Sequence, residues 1–307
     1  MACTACQRRA ALIAALVPAI SRITPLTRQS LLARLELPDE QLLLQTEVKN
    51  PDDLLRRLEI PEPTEDVPTA LCRHEPAYPK ALAELPCPPA VLYATCEVQR
   101  LRDLLTAPVV AIVGHLQYTH YGQRMAFELA HDLAGAGVSI LSSINKGLEG
   151  VAHHGALHAH GRSIAVVSAC PERPYLYKQT HLHERILQRG AAVSEFPPGF
   201  YPARRWCYIA SQRIIAALAS LVVVVEASER APALFTAQIA SEQGRDVAVV
   251  PGRVTDPGGH GTLALLRDGA YPVACAQDIL DLLHMDGLAT PIGTLLAAPD
   301  PLLAEAS

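Results

Sequence analysis

The sequence contains no apolar run long enough to span a bilayer, although half of its 307 residues are hydrophobic. It also lacks a clean small-residue cleavage site after the short apolar segment near its N-terminus, so a secretory signal is not expected. Charged residues make up 19% of the chain, which is the composition of a globular protein with ample core. We therefore predict a cytoplasmic protein that does not contact a membrane.

A second CxxC motif is also missing. Cys3 and Cys6 form one such pair, which is typical of zinc or redox chemistry. Zinc normally takes four ligands, and neither another cysteine pair nor a nearby histidine pair completes the set. We predict no metal and no cofactor, and interpret the pair as free thiols near the chain end. The other cysteines are expected to be small buried hydrophobic residues, namely Cys72, Cys87, Cys96, Cys170, Cys207 and Cys275.

Basic residues are fewer than acidic ones, so the formal net charge is −5, which argues weakly against a nucleic-acid ligand. The distribution is uneven. Residues 161–213 carry eight arginines or lysines against three acids, and the rest of the chain carries eighteen against twenty-eight. This segment could form one focused positive surface, or it could be a set of solvated helix-face arginines. The sequence leaves both open.

The chain divides into four parts. Residues 1–60 show short helical patterns interrupted by prolines and are predicted to form a small helical domain. Residues 61–77 begin with a proline-rich acidic stretch and are expected to be a linker, and residues 284–307 are expected to be a loose tail. Between 78 and 283, strands alternate with helices, which predicts a Rossmann-like α/β domain with a doubly wound, mainly parallel sheet. The predicted strands are 108–113, 138–142, 163–168, 191–194, 221–225 and 246–250, and the predicted helices are 121–136, 150–160, 178–189, 206–219, 234–243 and 261–268.

Two strand-to-helix turns carry the first candidate site. The apolar run 109–113 stops at Gly114, and the run 138–141 stops at Ser142 and Ser143, before Lys146, Gly147 and a new helical pattern. Such turns leave backbone N–H groups at helix N-termini, where phosphates bind. We predict a phosphorylated ligand at this edge of the sheet, with Lys146 on a phosphate; the alternative for Lys146 is a solvated loop lysine. Ser142 and Ser143 could donate to the phosphate, cap the following turn, or do both.

A second set of candidates is basic. Arg204 and Arg205 precede Trp206, and bases interleaved with aromatic rings suit single-stranded nucleic acid, unless Trp206 packs in the core. Arg213 could reach a phosphate or stack on a base, or it could form a salt bridge to Glu195 or Glu226. His153 has no further metal ligand at suitable spacing and is expected to pack or hydrogen-bond near the turn.

Nine short strings follow one another along the chain: Tyr78–Leu82, Pro88–Tyr93, Ala111–Gly114, Ser142–Leu157, Ser194–Gly199, Gln212–Ala216, Thr236–Ala237, Gly244–Arg245 and Val250–Gly252. In these strings and in their order the chain resembles the DprA family (DNA-processing protein A, also called Smf), as a diverged member. The resemblance covers about residues 78–283.

The resemblance implies a Rossmann-like protein of natural transformation that binds single-stranded DNA and presents it to the RecA recombinase, commonly as a homodimer. Two positions depart from the family pattern. Leu116 stands where the family has a basic residue, and Ser211 replaces the first arginine of its Arg-Asn-Arg string. Two positions of the implied DNA pocket that are cationic in the family therefore hold neutral residues in this chain, which predicts weaker or altered DNA binding.

A competing hypothesis, that the protein is an enzyme, rests on residues 257–262. They resemble the Pro-Gly-Gly-x-Gly-Thr string of the lysine-decarboxylase-like phosphoribohydrolases. Those enzymes carry a glutamate just after the threonine, whereas Leu263 follows Thr262 here. Because glycosidic-bond chemistry needs that carboxylate, we predict that the protein is not an enzyme. A nucleotide-sensing module without catalysis remains the alternative.

Overall fold

A single nine-stranded sheet organises the chain. The computed structural model describes residues 2–20, 28–46, 50–57, 64–144, 146–173, 179–200 and 205–283. The strand order is β1-β2-β6-β5-β4-β3-β7-β8-β9; the β1–β2 and β2–β6 pairs are antiparallel and the others parallel. The strands are β1 Thr69–Leu71, β2 Leu92–Ala94, β3 Val109–Val113, β4 Ser139–Ser143, β5 Ser163–Val166, β6 Ala191–Ser194, β7 Leu221–Val224, β8 Asp246–Val249 and β9 Tyr271–Pro272.

Helices cover both faces of this sheet. Helices α7, α8, α9 and α13 pack on one face, and α6, α10 and α11 pack on the other. The helices are α1 Thr4–Ile20, α2 Arg28–Glu36, α3 Asp39–Gln45, α4 Pro51–Arg57, α5 Lys80–Ala83, α6 Val98–Thr106, α7 His120–Gly135, α8 Leu148–His158, α9 Thr180–Arg189, α10 Arg205–Leu218, α11 Pro232–Glu242, α12 His260–Arg267 and α13 Ala276–Leu282. A short 3₁₀ turn, Pro257–Gly259, precedes α12.

The predicted doubly wound fold is confirmed. Strand β3 shows why the apolar runs of the sequence predicted the central strands. Val110 and Ile112 belong to the core on one face, while Ala111 and Val113 belong to the core on the other. A strand buried on both faces has no solvent-facing position, so it appears in the sequence as an unbroken apolar run.

The predicted linker is only partly a linker. Residues 69–71 form strand β1, whose three residues are all buried and pair with β2 at the edge of the sheet. The prediction was wrong for this stretch because a three-residue strand is too short to show alternation. Residues 61–63 and the predicted tail 284–307 lie outside the described residues.

The N-terminal helices pack onto the α/β region. Apolar side chains of α1, α2 and α3 share one buried cluster with Phe196 and with Cys207 and Ala210 of α10. Among the described helices, none combines the length and apolar character needed to cross a membrane.

The order in which successive strands are added to the sheet reverses at β3, which is parallel to both of its neighbours. The strands that follow β3 along the chain, from β4 to β6, lie on one side of it, and β7 to β9 lie on the other. Such a reversal opens a crevice outside the carboxyl ends of the strands, and α/β proteins bind their ligands in this crevice. The fold thus places the turns after β3, β4, β7 and β8 along one edge.

Candidate nucleic-acid interface

The turns after β3 and β4 are packed against each other. Gly147 has a φ of 107°, and a Cβ atom there would lie 2.8 Å from the carbonyl oxygen of His115 and 2.9 Å from Cα of Leu116. The amide of Leu148 donates to that same His115 carbonyl at 3.3 Å. Only glycine fits this approach and this backbone conformation. Lys146, one residue earlier, is consequently held at the carboxyl edge, where it is exposed.

Exposed aromatic and apolar side chains also lie at this edge, in or directly after the loop that follows β3. Leu116, Tyr118 and Tyr121 are 62%, 38% and 42% exposed. The Tyr121 hydroxyl donates to the carbonyl of Pro251 at 3.1 Å, which joins the first turn of α7 to the loop after β8. Arg253 is exposed in that loop. We call the group Leu116, Tyr118, Tyr121, Lys146 and Arg253 the edge surface.

Sequence reasoning missed the two tyrosines of the edge surface. The available signal was their position, because the run from His115 to Tyr121 directly follows a buried strand. Tyrosine between a buried strand and the following helix combines a ring face with a polar end and is suited to stacking on a base.

The N-terminus of helix α7 is occupied by a protein carboxylate. The backbone amide of Thr119 donates to Glu226 at 3.0 Å, and the Thr119 hydroxyl also donates to this carboxylate. The side chain of Glu226 fills the space above Gly122, where a Cβ atom would lie 2.4 Å from it. Glu226 is buried, with 6% exposure. Its charge already occupies the place that an anion would favour at this helix end.

Helix α8 also carries a buried carboxylate near its N-terminus, where it is bonded to side-chain hydroxyls. Glu149 lies in its first turn, is buried, and accepts hydrogen bonds from the Ser143 hydroxyl and, at 3.1 Å, from the Tyr208 hydroxyl. Both helix N-termini in the crevice therefore carry internal carboxylates. A phosphate placed directly on either end would meet a buried negative charge, so phosphate contacts are left to the exposed cations.

Three of the predicted phosphate contacts are buried by packing. The Ser142 hydroxyl donates to the carbonyl of Ile112 at 2.6 Å, and that of Ser143 is bonded to Glu149. Gly114 is buried beneath Leu148, whose Cδ1 atom would lie 2.5 Å from a Cβ atom at position 114. These residues shape the edge without presenting a polar group to it.

Arg213 is not part of the edge surface. Its guanidinium is 2% exposed and forms two 2.6 Å hydrogen bonds with Glu195, one to each carboxylate oxygen. It also donates to the carbonyls of Cys87 and Ala210. Burial alone would lower its pKa, but the charge of Glu195 raises the pKa overall. Of the two readings from sequence, the structure supports the salt bridge.

The basic residues of segment 161–213 that the structure describes do not gather at one place. Arg162 precedes β5 and Arg189 precedes β6, so both lie toward the amino edge of the sheet, opposite the edge surface. Arg213 is buried. Arg204 lies outside the described residues, as do the side chains of Arg205 and Trp206 at the start of α10. The hypothesis for those three residues stays a prediction.

A groove of about 880 Å³ continues from the edge surface between α7 and α8. Its lining includes His120, Tyr121, Val151 and His154. Tyr121 belongs both to this groove and to the edge surface, so the two adjoin, and the lining continues along α7 as far as Glu128.

The cysteine pair near the N-terminus has two partners that the sequence analysis did not find. Cys72 and His74, which follow β1, bring their side chains to Cys3 and Cys6. The argument that no further ligands exist was therefore wrong, because β1 returns a distant segment to the start of α1. Cys275 also departs from expectation, since it is exposed.

His153 is fully buried in α8, with its Nδ1 atom 2.7 Å from the Ser163 hydroxyl. The expectation that it packs and hydrogen-bonds is confirmed. Burial lowers the pKa of His153 from 6.5 to about 4, which keeps the ring neutral in the folded protein. Burial also lowers the pKa of His183 in α9.

These shifted pKa values predict acid sensitivity. The folded protein resists protonation of His153, whereas the unfolded chain accepts a proton near pH 6.5. The contribution of neutral His153 to the free energy of unfolding is therefore complete above about pH 6.5. It is lost as the pH falls toward about 4, and the free energy of unfolding falls by about 3 kcal/mol in total. Urea unfolding followed by circular dichroism at several pH values measures this loss. A His153→Gln variant should show a shallower dependence between these limits, and an unchanged dependence would contradict the assignment.

The motif at residues 257–262 has a structural role. Asp256 caps the 3₁₀ turn by accepting from the amide of Gly258 at 2.9 Å, and the buried Thr262 hydroxyl donates to the carbonyl of Gly259. The amide of Gly261 donates to the carbonyl of Ala227 at 2.8 Å. A Cβ atom on Gly261 would lie 2.7 Å from that oxygen, so the glycine permits close packing of α12.

Comparison with known proteins gives one consistent set of similarities. A family model described as DNA recombination-mediator protein A matches residues 69–284. The putative DNA processing protein DprA of Mycobacterium tuberculosis is 39% identical over 188 residues, which is 61% of this chain and 48% of that protein. DNA processing protein DprA of Bacillus subtilis is 32% identical over 204 residues, 66% of this chain and 67% of that protein. The chain thus matches about half the length of the mycobacterial relative.

Two solved structures are also similar. DNA processing protein A from Streptococcus pneumoniae superimposes with a TM-score of 0.66 at 27% identity, covering 87% of this chain and 96% of that chain. DNA processing protein A from Helicobacter pylori, described with a single-stranded DNA binding mode, superimposes with a TM-score of 0.61 at 26% identity. That match covers 70% of this chain and 94% of the Helicobacter chain.

Proposed function

The chain belongs to the DNA recombination-mediator protein A family, and from this membership we propose that it binds single-stranded DNA along the edge surface without catalysing a reaction. The family resemblance found in the sequence motifs is confirmed. The observation that carries the proposal is that exposed Lys146 and the exposed Tyr118 and Tyr121 follow two neighbouring strands, β4 and β3, at the carboxyl edge.

The edge surface suits an unpaired strand chemically. The lysine ammonium, on its flexible four-carbon stem, meets a phosphate as a point charge, and tyrosine rings offer faces to unstacked bases of any sequence. Leu116 contributes apolar area but no charge where the family pattern has a basic residue. We expect modest affinity with little sequence preference, because few cations contribute and phosphate contacts carry no base information.

The buried carboxylates argue against the nucleotide-sensing alternative. A module that senses mononucleotides needs a helix N-terminus open to a phosphate, and here Glu226 and Glu149 lie at both candidate positions. The phosphoribohydrolase reading has no support at Thr262, which is buried and bonded within its own turn.

Binding of single-stranded DNA is expected to weaken in a Lys146→Ala variant. Losing one phosphate contact should lower the slope of log K against log[salt] by about 0.7. A companion variant, Tyr118→Ala, should lower affinity by about 1–3 kcal/mol per lost base stack and leave that slope unchanged, since stacking releases no counterions. Fluorescence anisotropy with labelled oligonucleotides at several salt concentrations measures both effects.

The matched control is Arg102→Ala, which removes an exposed cation from α6, the helix that leads into the amino end of β3. It should leave affinity and slope at wild-type values. A folded Lys146→Ala variant that keeps the wild-type slope would place the DNA elsewhere, with Arg204, Arg205 and Trp206 the next candidates. Saturable binding of mononucleotides that competes with DNA would instead favour the sensor.

From the family resemblance alone, we propose a role in the cell: the protein acts in the cytoplasm during natural transformation, as a homodimer that presents single-stranded DNA to RecA. Sedimentation equilibrium tests the dimer. Formation of RecA filaments on DNA already coated by a single-strand-binding protein, with and without this protein, tests the presentation step.

A further inference from the structure

Four metal-binding side chains converge where α1 begins and β1 ends. Cys3 directly precedes α1 and Cys6 lies in its first turn. Cys72 and His74 follow the end of β1. Their ligand atoms all lie within 4.8 Å of one another. The two halves of this cluster come from segments 69 positions apart, counted from Cys3 to Cys72.

The distances within the cluster are those of ligands around one ion. Nδ1 of His74 lies 3.4, 3.5 and 3.8 Å from the sulfur atoms of Cys3, Cys6 and Cys72. With Zn–S bonds of about 2.3 Å and Zn–N bonds of about 2.0 Å, tetrahedral geometry separates neighbouring ligand atoms by about 3.5–3.8 Å. A hydrogen bond would account for only one of these contacts, because a ring nitrogen carries either one proton or one lone pair.

We propose that Cys3, Cys6, Cys72 and His74 form a structural zinc site. Three thiolates and one imidazole are a ligand set that zinc favours, and the cluster contains no carboxylate that would suit calcium or magnesium. Four protein ligands fill a tetrahedral shell and leave no position for water or substrate. The site therefore holds structure and does no chemistry.

The zinc would fasten the start of α1 to the edge of the sheet. Two backbone contacts already lie beside the site, from the amide of Ala2 to the carbonyl of Ala70 at 2.9 Å and from the amide of Cys3 to the sulfur of Cys72 at 3.5 Å. An amide directed at a bound thiolate is the kind of surrounding contact that orients metal ligands. Since α1 also packs in the cluster with α10, the ion would couple the N-terminal helices to the α/β region.

Metal analysis of the purified full chain, prepared without a histidine tag, tests the site. Mass-spectrometric metal analysis should find one zinc per chain, falling to below about a tenth in Cys72→Ser and in His74→Ala. Cys275→Ser is the matched control, because Cys275 is exposed and far along the chain, and serine can replace it as the cap of α13. This variant should keep its zinc.

A second measurement avoids reliance on variants that fail to fold. Wild-type protein stripped of metal and refilled with Co²⁺ under reducing conditions should show the visible absorption of tetrahedral thiolate-bound cobalt, and added zinc should abolish it. Wild-type protein that takes up neither zinc nor cobalt would overturn the proposal. Folded Cys72→Ser protein that retains stoichiometric zinc would overturn it as well, since the ion would then be bound elsewhere.

Discussion

Replacing Glu195 with leucine is expected to lower the free energy of unfolding by about 3–5 kcal/mol. The substitution would leave the guanidinium of Arg213 charged, buried and without its two bonds to the carboxylate. The backbone carbonyls of Cys87 and Ala210 remain as acceptors, but they carry no compensating charge. Equilibrium urea unfolding of the variant against wild type measures the loss.

A double variant separates the lost charge partner from lost packing. Glu195→Leu combined with Arg213→Met removes both charges, and it should recover most of the stability, because apolar residues of similar volume can replace a buried ion pair. Glu184→Gln, at an exposed position on α9, is the control and should lie within about 0.5 kcal/mol of wild type. If the single and double variants were equally unstable, packing would outweigh charge at this site.

The Gly147→Ala substitution is expected to reduce binding of single-stranded DNA by about tenfold or more, a loss of at least about 1.4 kcal/mol. The added methyl group would lie 2.8 Å from the His115 carbonyl, in a backbone conformation with a φ of 107°. The two turns must then separate, which moves Lys146 away from the turn that carries Leu116 and Tyr118. The same strain should cost about 1–3 kcal/mol of stability. Anisotropy titration and urea unfolding report the two effects separately.

Gly137 provides a control with the same backbone demand. Its φ is 87°, but a Cβ atom there would meet nothing within 4 Å, and the residue lies in the turn between α7 and β4, away from the edge surface. Gly137→Ala should therefore lose some stability and keep wild-type DNA affinity. Equal loss of DNA binding in both variants would mean that global destabilisation, and not the geometry of the turn, explains the result.

The alternation of strands and helices was predictable because each central strand is buried on both faces. The residues of the site were less so. Ser142, Ser143 and Gly114 stand where phosphate-binding turns occur, yet all three are buried by packing. For Arg213 the sequence left a phosphate contact and a salt bridge to Glu195 or Glu226 both open, and only the folded position of Glu195 beside it decides for the salt bridge. Burial and pairing are properties of the folded chain, which local spacing does not encode.

The zinc cluster and the two internal carboxylates show the same limit. Cys72 and His74 reach Cys3 and Cys6 only because a three-residue strand pairs at the sheet edge. Glu226 reaches the start of α7 because β7 lies beside β3, a neighbour relation that no local motif records. The topology of the sheet, more than the composition of its loops, decides which side chains meet.

The pairing of β2 with β6 constrains how the protein is made. Thr95 and its partner Ala192 are 97 positions apart. At about 5–20 residues per second, β2 leaves the ribosome roughly 5–20 s before β6 can join it. During that interval its apolar edge is an unpaired template for other chains. Nascent chains stalled between β2 and β6 should consequently recruit chaperones, and chains stalled well beyond β6 should release them.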